Sequence, residues 1–173
     1  MRLIINKTKG FTLVEIMIVV AIIALIAAIA IPNLLRARHN ANETAAIGNL
    51  KTLVDSLESF RANQAPTTYP GAGVTSGGTA VTDLSGLANT NPPYIDAVLA
   101  SGIRQGYTFT YTPGVARVVA LGGQNFNAYD TYTCTAVPVT LGVTGTRRFF
   151  VDSTGVIRSN DTGAATAAST PLE

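Results

Sequence analysis

Glu15 is the residue whose type and place call most for a chemical explanation. It lies at the start of a segment that from Ile16 to Ile31 contains no polar side chain. A carboxylate at the centre of a membrane helix costs about 2–3 kcal/mol, less toward its end, so such an acid implies a function and a partner. Other candidates are weaker. His39 is the single histidine, with no nucleophile near it in sequence, and reads as a surface residue. One histidine and one cysteine, Cys134, are too few for a four-ligand Cys/His zinc site or an intrachain disulfide. Cys134 lies in a strand-like run and reads as a buried small hydrophobe. Asp152–Ser153–Thr154–Gly155 reads as a turn, because calcium needs six or more oxygens and the loop is not Asp-rich. Two triplets, Asn42–Glu43–Thr44 and Asn160–Asp161–Thr162, match the glycosylation sequon, a pattern common by chance. Neither a G-x-S-x-G elbow nor a phosphate-binding Gly-rich loop is present. The residues therefore predict no enzyme, no metal and no cofactor.

Around Glu15 the composition is divided. Apolar residues make up 47% of the 173 and charged residues 13%, which is more apolar than an ordinary soluble domain. The excess sits in the first third, and the second half is rich in Thr, Gly, Asn and Ser. The formal charge of +2 is a property of the extreme N-terminus. Without Arg2, Lys7 and Lys9, nine of the 12 basic side chains remain against ten acids, a sum of −1. Basic residues pair only at Arg36/Arg38 and Arg147/Arg148, so no nucleic-acid partner is expected.

The element that positions Glu15 is the segment Phe11–Ile31. As a helix it spans about 31 Å, the thickness of a hydrocarbon core. The basic residues before it should stay on the cytoplasmic side. On residues alone three readings stand. The first is a secretory signal peptide, with an Ala-x-Ala site at Ala28–Ile29–Ala30. The second is a plain single-span anchor. The third is a precursor trimmed on the cytoplasmic side, and it alone gives Glu15 a purpose.

The stretch KGFTLVEIMIVVAIIALIAAIAIPN resembles the N-terminus of type IV pilins and of the pseudopilins of type II secretion. The likeness rests on Gly10, Phe11, Glu15, the long apolar helix and Pro32, and covers roughly the first third of the chain. It implies that a prepilin peptidase cuts between Gly10 and Phe11 and that the new amine of Phe11 is N-methylated. It also implies that Glu15 neutralises that amine, on a neighbouring subunit or its own, so that only correctly stepped subunits avoid an unpaired charge in low dielectric. Many type IV pilins have glycine where this chain has Ala24, a better helix former by nearly 1 kcal/mol. Any interruption of the helix is therefore expected nearer Pro32, which should bend or break it.

Beyond Pro32 an amphipathic pattern runs to about Ala62. Ile47, Leu50, Leu53, Val54, Leu57 and Phe60 form the stripe, while Asn49, Lys51, Asp55, Glu58 and Arg61 take the other faces. Arg36 and Arg38 suit a headgroup interface or charge contacts between subunits. Residues 64–91 read as a polar, flexible connection. A short helix is expected over Pro92–Gly102, with Pro93 in its first turn. Strands are expected at Tyr107–Thr112, Val115–Leu121, Thr131–Val139, Arg147–Val151 and Val156–Ser159, the last two joined at the Asp152–Gly155 turn. The tail after Asn160 is expected to fray.

The expected fold class is α+β: a long N-terminal transmembrane and amphipathic helix packed on a small antiparallel sheet of four or five strands. The segments are a leader (1–10), a membrane and assembly helix (11–31), an amphipathic helix (32–63) and a β-rich head (64–173). The resemblance implies a subunit of a type IV pilus-like surface filament, with the alternative of a type II secretion pseudopilin. Its partners would be copies of itself, prepilin peptidase, an inner-membrane assembly platform and, before assembly, membrane lipid. It would reside in the inner membrane with its head outside the cytoplasm, then in a surface or periplasmic filament. A secreted enzyme or binding module released after Ala30 is the reading of a different class.

Overall fold

A computed structural model describes residues 10–172. The leader, apart from Gly10, and Glu173 lie outside the described residues. The chain forms two compact units, with the boundary after Ala37.

In the first unit the chain enters helix α1 (Leu13–Ala62) at Leu13. Every side chain from Phe11 to Ala37 is exposed apart from a half-buried Ala27, as an apolar helix without neighbours must be. Pro32 lies inside α1, and the helix runs on past it, so the break, one of the two outcomes expected there, does not occur. A proline removes one intrahelical donor but fixes φ near the helical value, so the helix gives up a hydrogen bond there without having to end.

In the second unit the same helix supplies one wall of the core. Leu50, Leu53, Leu57 and Phe60 are fully buried, with Ala46 beside them and Ile47 and Val54 partly covered. This is the stripe that 3.6-residue periodicity selects. His39 is half-buried rather than freely exposed.

The facing wall is an antiparallel sheet of six strands, more than expected. Its members are β3 (Ile103–Arg104), β4 (Tyr107–Pro113), β7 (Tyr132–Pro138), β8 (Arg148–Asp152), β9 (Arg158–Asn160) and β10 (Thr170–Pro171), in the spatial order β10-β9-β8-β7-β4-β3. β4 and β7 pair along their whole length, from Tyr107↔Pro138 to Pro113↔Tyr132. Alternation then puts Tyr107 and Phe109, and Tyr132, Cys134 and Ala136, in the core. Cys134 is buried, and burial pushes its thiol up to about 12, so it behaves as an unreactive apolar group. Tyr69 packs edge-on against Tyr132 with centroids 4.7 Å apart.

Several expected elements differ in detail. Residues 116–121 do not join the main sheet. They form β5 (Ala116–Leu121), which pairs with β6 (Gln124–Tyr129), a strand not expected from the sequence. Gly122 and Gly123, both at positive φ, make the two-residue turn between them, the geometry that matches strand twist. The tail does not fray: β10 pairs with β9, and the Leu172 N–H donates to the Ile157 carbonyl. The helix expected from Pro93 is shorter and starts later, at α3 (Ala97–Ala100), because Asp96 accepts the Leu99 N–H and caps it. Residues 64–91 hold a small hairpin of β1 (Thr75–Ser76) and β2 (Thr79–Ala80) and the helix α2 (Leu84–Ala88). Tyr69, Val74, Val81, Leu84 and Leu87 anchor this segment in the core.

Candidate processing and assembly site

The four residues singled out from the sequence are all on or beside α1. Gly10 and Phe11 precede the helix and are exposed, Phe11 by 80%. A Cβ added at Gly10 would meet nothing within 4 Å. The chain itself thus supplies no steric reason for glycine there. Thr12 caps the helix: its carbonyl accepts the Ile16 N–H at 3.3 Å, and its Oγ1 accepts the Glu15 N–H at 3.2 Å. Thr12-x-x-Glu15 is the capping-box spacing, with the acid in the first turn, where the helix dipole favours negative charge. The Glu15 side chain is exposed, and Pro32 lies further along the same exposed surface.

From its start α1 is long and apolar enough to cross a membrane, and none of its most apolar stretch is buried within the chain. Among the described residues no group of three or more His, Cys, Asp or Glu could hold a metal ion.

A second constellation is not foreshadowed by any sequence motif. Glu43, 3% exposed, accepts four hydrogen bonds from the segment that leads into β8. Its Oε1 takes the Thr146 N–H (2.9 Å), the Thr146 hydroxyl (3.0 Å) and the Arg147 N–H (3.2 Å), and its Oε2 takes Arg147 Nε (2.7 Å). Burial alone would raise its pKa, but the donors from Thr146 and Arg147 outweigh that and hold it below the ordinary 4.5. Beside it Asn42 Nδ2 donates to the Thr144 carbonyl at 2.8 Å. This occupies the amide of one of the two sequons. One signal was present in the spacing: Glu43 stands three residues before Ala46 and seven before Leu50, on the buried stripe.

Residues 5–31 match the family described as Prokaryotic N-terminal methylation motif. The first segment of this chain carries that methylation motif. Over 56 residues the chain is 48% identical to the Type IV wide pilus major component PilA4 of Thermus thermophilus, covering 32% of this chain and 43% of that protein. It is 48% identical over 54 residues to the Type IV major pilin protein PilA of Myxococcus xanthus, covering 31% and 24%. It is 34% identical over 68 residues to the Type II secretion system core protein G of Escherichia coli, covering 38% and 47%. The chain spans less than half the length of each of these relatives. No solved structure matches it. Over roughly a third of its length the chain is thus homologous both to type IV pilins and to type II secretion core proteins. Its α+β architecture, a long apolar helix with antiparallel sheets, is consistent with the type IV pilin fold.

Proposed function

We propose that this protein is a non-enzymatic structural subunit of a type IV pilus-like filament. It is made as an inner-membrane precursor with its second unit outside the cytoplasm. A prepilin peptidase hydrolyses the Gly10–Phe11 peptide with one water, leaving a carboxylate on Gly10 and an amine on Phe11. The amine then takes a methyl group from an electrophilic methyl donor and loses a proton. The trimmed subunit leaves the lipid through an assembly platform and packs against copies of itself along its first unit. Glu15 neutralises the cationic amine of a neighbour in that bundle, and Pro32 sets local helix geometry. The observation that carries this reading is the motif match on a helix whose apolar surface is unburied by its own chain.

Intact mass of the exported protein tests it. A mass that begins at N-methyl-Phe11 is expected; one that begins at Ile31, after the Ala-x-Ala site, overturns it. In Glu15→Leu, membrane insertion should persist while filaments are lost, since one charge of each pair would be left unpaired. Normal filaments from that variant would remove Glu15 from the mechanism. A second reading, a type II secretion pseudopilin, draws on the match to the core G protein, which extends over 68 residues. Micrographs of surface fibres favour the pilus, and a secretion defect in a deletion strain favours the pseudopilin.

A further inference from the structure

We infer that Thr12 is a positioning residue for precursor cleavage: its cap stops α1 two residues after the Gly10–Phe11 bond and keeps that bond out of the helix. The inference rests on the cleavage reading proposed above. Thr12 itself is not helical, α1 begins at Leu13, and the Thr12 oxygens take both the Glu15 and Ile16 N–H groups. Gly10 and Phe11 therefore lie outside the helix and are exposed.

The alternative to that cap is a longer helix. The first N–H groups of a helix have no intrahelical partners, and in an apolar setting each seeks an acceptor. Extension upstream satisfies them, and it would make the Gly10 carbonyl accept the Val14 N–H. That carbonyl is the one a hydrolase must attack. Bound into a helical turn, it cannot lie in an extended substrate cleft that pairs with backbone groups on both sides. The Thr12 hydroxyl removes the pressure by satisfying the Glu15 N–H itself. Gly10 tolerates non-helical backbone and resists helix in the same place.

Cleavage of the full precursor by prepilin peptidase in membrane vesicles is the test, with product mass as the readout. Thr12→Ser keeps the acceptor and should be cut at the wild-type rate. Thr12→Val keeps the shape without the oxygen and should be cut about fivefold more slowly, the factor typical of a lost cap. The deciding variant is Thr12→Val combined with Leu13→Pro. Proline is favoured at the first helical position, has no N–H, and disfavours helix in the residue before it. It should therefore end the helix at the same place and restore the rate without any hydroxyl. A wild-type rate in Thr12→Val overturns the inference. A slow Thr12→Val that Leu13→Pro does not rescue also overturns it, since the hydroxyl would then act on the peptidase directly. A wild-type precursor left uncut at Gly10–Phe11 would instead sink the cleavage reading itself.

Discussion

A single carboxylate, Glu43, joins the helix to the segment before β8, and its charge is expected to make that junction sensitive to acid. Glu43→Ala would strand the Thr146 and Arg147 N–H groups and leave Arg147 without its partner. A loss of about 2–4 kcal/mol is expected from buried donors and a broken ion pair. Chemical denaturation of the two proteins would measure it. The folded-state pKa lies below the ordinary value, so Glu43 contributes its full stabilisation above about pH 4.5. That contribution falls as the pH drops below 4.5 through the depressed folded value. Glu43→Gln should consequently show a shallower stability loss between neutral pH and pH 3 than the wild type. Identical slopes would place the acid sensitivity elsewhere. Glu15, by contrast, has no partner within its own chain among the described residues, which fits a charge answered only on assembly.

Among the elements, the buried stripe of α1 supplies one wall of the second unit's core. Leu53 is fully buried among side chains of the same core cluster. Leu53→Ala should cost about 2–5 kcal/mol, through lost transfer free energy and the cavity left behind. A thermal-melt shift near zero would mean that the core collapses around the gap. The stripe is legible in the sequence because apolar residues at helical spacing need a surface to bury against. Four of the sheet strands are legible for the equivalent reason, alternation bounded by turn residues. β6 is not: Gln124, Asn125 and Asn127 are polar, and only its pairing with β5 makes it a strand. β10, two residues long, is likewise created by its neighbour β9.

At the scale of the whole molecule the chain is two compact units with different surfaces. One buries nothing against itself and is suited to lipid or to other helices; the other holds a closed core. A fragment covering residues 38–173 is expected to fold as a soluble monomer and to form no filaments at any concentration. Analytical ultracentrifugation and electron microscopy check both points. Filaments from that fragment would show that the first unit is not the polymerising element.

The first unit was set almost wholly by the sequence. A membrane-length apolar segment, its single acid, the glycine before it and the threonine cap all act through neighbours within four residues, and local rules reach that far. Folding alone decided the rest. Glu43 and Arg147 are distant in sequence, and nothing in their own surroundings specifies the pair. Their contact depends on where the sheet places the strand that follows Arg147. The same dependence on distant partners determined that the tail is a strand and that residues 116–129 form a ribbon apart from the main sheet.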